Sequence, residues 1–303
     1  MAELKLNAES GGIRLDKYLC DHTELSRTRI KTLCQQGAVC VNGSPAKSSL
    51  KLSEGDVITA SVPEDEPLDV KAEPIPLDIL YEDSDIIVIN KPKGMVVHPA
   101  AGVNSGTLVN ALLYHCNDLS GINGVLRPGI VHRIDKDTTG CIVACKNDHA
   151  HREIARQLEE KTCHREYIAL CDGVIDHEEG LIDAPIGRDP RDRKKMTVTE
   201  TNSKSARTHF TVLERFDQYT LTECRLETGR THQIRVHMSY IHHPVTGDPV
   251  YGSPCRLMDT QGQALHAYRL SLIHPSTNEA MTFEAPLPAY FETLIGILKE
   301  GKE

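Results

Sequence analysis

No run of eighteen apolar residues occurs anywhere in the 303-residue chain, so no transmembrane helix is expected. The opening Met1-Ala2-Glu3-Leu4-Lys5 lacks the basic start and apolar stretch of a secretory signal. Cys-x-x-Cys pairs are missing although there are ten cysteines, and the closest two, Cys141 and Cys145, lie in an apolar stretch. Reduced, buried thiols behave there as small hydrophobes, and a cytoplasmic, reduced protein is the expectation. Gly-x-Gly-x-x-Gly, P-loop and repeat patterns are absent, which removes the usual signals of a dinucleotide or nucleoside triphosphate. The fifteen histidines contain no His-x-x-x-His pair. His232 and His237 are five apart and diverge on a helix, as do the adjacent His242 and His243, so no metal is expected.

What is present is an ordinary globular composition, 39% apolar and 25% charged, long enough to bury a sizeable core in more than one domain. The net charge of −9 argues at first against a nucleic-acid partner. Its distribution reverses that impression. Residues 1–62 carry +1, residues 63–85 carry −8, and the remaining 218 residues carry only −2. Overall charge therefore says little about any binding face.

The acidic segment holds Pro63-Glu64-Asp65-Glu66-Pro67 and Glu73-Pro74-Ile75-Pro76, an extended, self-repelling composition. It predicts a linker over 63–78 between a small unit at 1–62 and a larger one at 79–303. In the first unit, Arg14–Leu19 reads as a helix. Ser26 is a candidate N-cap for a second helix running to Gln36 with Gly37 as its stop. On that helix Ile30, Leu33 and Cys34 share one face, Arg27 and Lys31 another, with Arg29 nearby. Strands at Ala38–Val41 into an Asn42-Gly43 turn and at Asp56–Ala60 follow. A basic helix face beside a small sheet suits phosphate contacts, and a solvated surface is the alternative.

The larger unit reads as strands at 86–89, 130–131, 141–145, 167–171, 208–213, 220–226 and 281–283, with helices at 107–115, 149–158 and 289–298. They do not alternate regularly, so the expected class is α+β. Between two of the strands stands His132-Arg133-Ile134-Asp135-Lys136-Asp137-Thr138-Thr139-Gly140. A polar knot between apolar strands is costly in a core but well suited to holding one reactive carboxylate. A charged turn is the bland alternative. A dense cationic segment, Gly229-Arg230-Thr231-His232-Gln233-Ile234-Arg235-Val236-His237, reads as a helix start after Gly229, with Thr231 and Arg235 on one face and Gln233 and His237 on a neighbouring one. It could serve an anion or merely pair with Glu227 or another surface acid. Tyr167 shares a strand face with Arg165 and reads as a core residue or as a ring offered to a base. Arg188–Lys195, with five bases and two acids around Pro190, reads as a basic loop.

Together these segments resemble the RluA-type pseudouridine synthases, the RluD-like branch in particular. The 132–140 stretch is similar to that family's His-Arg-Leu-Asp-x-x-Thr-Ser-Gly signature, with Ile134 and Thr139 as conservative departures. Asn90-Lys91-Pro92-Lys93-Gly94 resembles its Lys-Pro-x-Gly motif, and 229–237 its Gly-Arg-x-His-Gln-Ile-Arg element, continuing through Pro244, Gly247-Asp248 and Tyr251-Gly252. Residues 14–62 resemble an S4 RNA-binding domain. The resemblance covers nearly the whole chain. It implies an α+β catalytic domain with a long, mixed, mostly antiparallel sheet and a central cleft, behind a small S4-like domain. It also implies isomerisation of uridine in RNA without cofactor or metal. Asp135 would be the essential carboxylate, attacking C1′ or removing the C2′ proton. Arg235 would pair with it and Tyr167 would pack on the flipped base. Arg133 would fill the space the base vacates. Arg230, His232, Gln233 and Lys91 would contact RNA, joined by Arg27, Arg29 and Lys31 of the S4-like helix. Asp137 is read as structural or RNA-facing. Large-subunit ribosomal RNA is the expected substrate and tRNA the alternative. An RNA N-glycosidase and a non-catalytic RNA-binding or ribosome-assembly module are the other readings.

Overall fold

The computed structural model describes residues 2–23, 25, 27–62, 70–99, 102–122, 127–192 and 195–301. Two compact units form, Met1–Asp69 and Val70–Glu303. The first contains β1 (Ala2–Asn7), α1 (Leu15–His22), α2 (Arg27–Gln35), β2 (Val39–Val41), β3 (Ser44–Pro45) and β4 (Val57–Val62), with the antiparallel sheet ordered β1-β4-β2-β3. Leu15, Leu19, Ile30, Leu33, Val39 and Ile58 are its buried centre, as the i, i+3 spacing on α2 requires. The Asn42-Gly43 turn joins β2 to β3 with both residues at positive φ. Strand β1 was not anticipated. Its Leu4 and Leu6 pack on the core while Lys5 faces out, an alternation that charged residues on either side obscure. Ser26 lies outside the described residues, as do the side chains of Arg27 and Arg29; Lys31 is exposed.

The second unit holds β5 (Ile79–Glu82), β6 (Ile86–Lys91), α3 (Leu108–His115), β7 (Thr139–Cys145), α4 (Asp148–Glu159), β8 (His164–Asp172), β9 (Glu179–Asp183), β10 (Ile186–Arg188), β11 (Met196–Val198), β12 (Ser203–Lys204), β13 (Arg207–Arg215), β14 (Tyr219–Leu226), α5 (Gln233–Tyr240), β15 (Leu265–Ile273), β16 (Ala280–Glu284) and α6 (Ala289–Lys299). Its main sheet has nine strands in the order β5-β6-β7-β15-β8-β14-β13-β9, with β16 added beside β15. Every pairing is antiparallel except β7 with β15, which gives the mixed, mostly antiparallel sheet that was expected. A small sheet, β11-β10-β12, packs by Ile186 against Val236 of α5.

Strand β7 is buried along its full length. Ile142 and Ala144 face a core shared with α3, whereas Cys141, Val143 and Cys145 face Ala150 and Ile154 of α4. Burial raises the thiols of Cys141 and Cys145 to about 12, and none of the ten cysteines is in a disulfide. Helices α3, α4 and α6 fall within a residue of the expected spans. Thr107 and Asn147 accept the hydrogen bonds that start α3 and α4.

Three expectations need correction. The linker does not extend to residue 78. Val70 is buried in the second unit's core, Glu73 N–H donates to the Asn110 carbonyl at 2.9 Å, and the Asn110 amide donates to the Lys71 carbonyl at 2.8 Å. Acid and proline mark an extended chain, and extended chain can dock on a helix. The strand at 130–131 reduces to one bridge, Ile130 with Ala144. The central strand β15 was missed because His266, Arg269 and Ser271 interrupt its apolar pattern. His266 is nonetheless buried and satisfied, between the Thr139 hydroxyl at 2.8 Å and the Ala285 carbonyl at 3.1 Å.

Two outcomes follow from this packing. Gly140 has φ +107° and faces Ala267 across the parallel pair, where a Cβ would overlap the Ala267 carbonyl. Gly140→Ala should lower stability by about 2–4 kcal/mol in urea unfolding followed by circular dichroism; wild-type stability would show that the pair relaxes easily. His132 accepts from Val143 N–H through Nε2 at 3.1 Å. Burial, helped by the charge of Arg165, pushes it from 6.5 down to about 3. The unfolded chain then takes up this proton near pH 6.5 and the folded chain only near 3. The stabilisation is complete above 6.5 and is lost as pH falls towards 3. His132→Gln should flatten the decline of Tm between pH 7 and 4.5, and parallel declines would refute the assignment.

Candidate active site

Lys91, the last residue of β6, is fully buried, and its ammonium donates to the carbonyls of Pro92 at 2.9 Å, Met95 at 2.8 Å and Lys136 at 2.9 Å. Burial lowers it to about 7 against the pull of Asp137 and Asp135. The expected RNA contact is therefore corrected. Lys91 ties the loop before β7 to the loop after β6, and nothing of it reaches solvent. The same loop is held by Gln263, whose amide donates to the Thr138 hydroxyl at 3.1 Å, and by a turn in which Thr138 N–H donates to the Asp135 carbonyl at 3.1 Å. Three restraints thus surround Asp135, whose side chain remains 17% exposed.

Helix α5 brings in the counter-charge. Arg235 donates from Nη1 to Asp135 Oδ2 at 2.9 Å, and from Nε and Nη2 to the two oxygens of Asp248 at 2.7 and 2.8 Å. Asp248 is buried, and its Oδ1 also accepts from Val250 and Tyr251 N–H at 2.8 and 3.1 Å. Burial opposes the charge of Arg235, but hydrogen bonds and charge from Asp248 and Asp135 outweigh it and raise Arg235 above the ordinary arginine range. Asp248 is the member of the site to which the sequence reading gave no role, although Gly247-Asp248 stood in the quoted motif. A carboxylate two turns of chain beyond an Arg-rich helix was the available signal.

Helix α5 starts at Gln233, so Thr231 precedes it and does not share a helical face with Arg235. Gln233 is buried with every side-chain polar atom engaged: it accepts from the Thr228 hydroxyl and the Arg230 N–H and donates to the Arg207 carbonyl and Thr208 hydroxyl. It braces the helix start rather than contacting RNA. His237 takes the Thr208 hydroxyl at 2.9 Å one turn later. His232 stands just before the helix with φ +58°, an unusual conformation for a residue with a Cβ. Tyr251 accepts from Met196 N–H at 2.9 Å, and its hydroxyl lies 2.8 Å from His232 Nδ1. His232 Nε2 lies 4.0 Å from Asp135 Oδ1. Burial lowers His232 despite the attraction of Asp135.

A cavity of about 140 Å³ opens between the two loops, lined by His132, Asp135, Arg165, Tyr167, His232 and Arg235 among others. Tyr167, from β8, belongs to the core cluster, as its core reading has it, and also lines the cavity. Arg133 is exposed and donates to His98 Nε2 at 3.4 Å, and Arg230 is partly exposed with Nε on the Ser205 carbonyl at 2.9 Å. Glu227 pairs with Arg207, Lys161 and His209 instead of with Arg230 or Arg235. Among the described residues two groups have metal-like composition, Glu82–His115–Cys116 and Asp83–Asp85–His274. Both lie at the start of β6, away from Lys91 at its end, and His115 and His274 each already bond a carboxylate at 2.7 Å.

Comparison with known proteins identifies the family. Residues 85–240 match the RNA pseudouridylate synthase family and residues 13–58 the S4 domain. The chain is 55% identical over 300 residues to the uncharacterized RNA pseudouridine synthase YlyB of Bacillus subtilis, covering 99% of this chain and 98% of that one. It is 45% identical to the ribosomal large subunit pseudouridine synthase D of Neisseria meningitidis, over 98% of this chain and 81% of that one. The human RNA pseudouridylate synthase domain containing 1 shares the fold, with a TM-score of 0.58 at 24% identity over 79% of this chain and 98% of its own. With Asp135 and Arg235 joined at the mouth of a cavity inside the matched region, the chain belongs to the RNA pseudouridine synthases of the RluD-like branch with an N-terminal S4 domain, and it is an isomerase acting on RNA.

Proposed function

We propose that this enzyme converts uridine to pseudouridine in large-subunit ribosomal RNA and that Asp135 is its catalytic carboxylate. The observation that carries the reading is the Arg235–Asp135 contact at 2.9 Å at the edge of the cavity. The reaction breaks N1–C1′, turns the base and joins C5 to C1′, with no redox or phosphoryl step. Attack on C1′ and removal of the C2′ proton both use a carboxylate held at the cavity, and the Arg235 guanidinium fixes the position of Asp135 there through Oδ2. Tyr167 packs on the flipped base, and exposed Arg133 replaces it in the RNA. Extrusion of the base costs a few kcal/mol in a paired region. The choice of ribosomal RNA is supported by the names of the relatives and by the S4 domain.

Tritium release from 5-³H-uridine-labelled RNA tests the reading. Wild type should release label from large-subunit ribosomal RNA without free uracil. Release from tRNA alone would move the substrate, and free uracil would mark a hydrolase. Asp135→Asn should lower turnover by ~10³-fold or more while RNA affinity stays within about twofold. Near-normal turnover would remove Asp135 from the mechanism.

A second outcome concerns the first unit. Replacing Arg27, Arg29 and Lys31 together by Ala should weaken RNA binding and make the slope of log affinity against log salt shallower by about 2. An unchanged slope would mean that this face of α2 touches no phosphate.

A further inference from the structure

Three cationic side chains are buried among the described residues: Lys91, Arg165 and Arg235. Lys91 has three carbonyl partners and Arg235 two carboxylates. The Arg165 side chain has neither hydrogen bond nor ion pair among the described residues, the residue is 7% exposed, and its Nε is sealed from solvent without an acceptor. A sealed Nε without an acceptor is costly, and Nη1 and Nη2, which are not sealed, leave a polar edge at the cavity that a ligand can complete. It lines the same cavity as Tyr167 and Asp135. Its backbone is locked in the middle of the sheet, paired with Leu226 of β14 and Leu270 of β15, so it cannot swing to a surface acid. Gly229 makes room for it, since a Cβ there would lie 2.6 Å from Nη1. A second orphan donor is in the same wall. His132 Nε2 accepts from Val143 N–H, which puts its proton on Nδ1, and Nδ1 has no partner.

We propose that Arg165 is a further catalytic residue, donating to the carbonyl edge of the uracil and holding the negative charge that appears on it when N1–C1′ breaks. The proposal rests on the Asp135 cavity being the reaction site. Phosphates of a bound RNA meet the exposed Arg133 and Arg230 at the rim, whereas a side chain as deep as Arg165 is reached by the base alone. Arg165 and Tyr167 are two residues apart on one face of β8, about 7 Å along the strand, so a uracil packed on the ring has an edge beside the guanidinium. When the glycosidic bond breaks, its electron pair stays on the base and the charge spreads over N1, O2 and O4. A half-turn about the N3–C6 axis then exchanges N1 with C5 and O2 with O4. A donor that held one carbonyl before the turn meets the other afterwards, and a planar fork of N–H groups serves both. Closure follows when C5 bonds to C1′, the C5 proton leaves to solvent and N1 takes one up, so protons and electrons balance. An interaction that strengthens as charge develops lowers the barrier rather than merely binding substrate.

The test uses Arg165→Met in the full-length enzyme, with single-turnover loss of the target nucleoside measured for RNA carrying uridine or 5-fluorouridine. Fluorine withdraws charge and makes the base a better leaving group, so it needs less help. The variant should lose ~10²-fold on uridine, about tenfold or less on 5-fluorouridine, and about twofold or less in RNA affinity. Its Tm should be unchanged or higher, because an unpaired buried charge has gone. Arg165→Lys should recover part of the uridine rate. Equal losses on both bases, or a fall in affinity with a shallower salt slope at unchanged rate, would overturn the proposal in favour of a structural or phosphate-holding arginine. Asp135→Asn run alongside separates the two ideas. An active Asp135→Asn removes the site itself, whereas an inactive one beside a fully active Arg165→Met removes only the role of Arg165.

Discussion

Arg235 carries a full charge at a place where water scarcely reaches, and two carboxylates share it. Asp248 occupies Nε and Nη2 as a two-pronged anchor, leaving Nη1 for Asp135. The division is asymmetric for a structural reason. Asp248 is itself restrained by two backbone N–H groups and is inaccessible, so it can only position. Asp135 gives Arg235 a single oxygen and keeps the other towards the cavity. Removing one member of such a group typically costs ~3–5 kcal/mol, because the remaining charges are left uncompensated in the interior. The start of α5, the 248–251 turn and the loop before β7 must all be in register for the contact to exist. The rest of the unit is arranged around that requirement.

Side chains in the quoted motifs divide into two physical kinds that a motif cannot distinguish. Lys91, Gln233 and His237 are saturated by bonds to the protein, and their task is to hold loops and the helix start. Arg133 and Arg230 keep their ends near solvent. Arg165 belongs to neither kind, being deep but unsatisfied. A positive residue in a matched pattern is therefore no guide to whether it meets RNA; its partners decide that.

Much of this was legible in the chain. Spacing on one face located α2, the spans of α3, α4 and α6 were read from the chain, and the polar knot at 132–140 singled out Asp135. The pairing of Arg235 with Asp135, 100 residues apart, came from resemblance, since spacing carries no information over that distance. Beyond β1, three things escaped for reasons of chemistry. Strand β15 hides behind a buried histidine whose satisfaction depends on Thr139 and Ala285. Residues 70–78 have the composition of a linker but find backbone partners on α3. Asp248 looks like any loop aspartate until Arg235 is seen beside it.

The position of β15 has a consequence for synthesis. Strands β7 and β8 are joined by α4 and follow each other in sequence, yet they are not neighbours: β15 lies between them. Its ladder to β7 closes a loop of 127 residues, measured from Thr139 to His266. Such a long-range pairing forms late, after the entropy of closing the loop has been overcome. The floor beneath the Asp135 loop is thus incomplete until residues 265–273 have left the ribosome. An RNA-modifying enzyme made in contact with RNA is, by its strand order, kept from assembling its reactive centre until that strand has emerged.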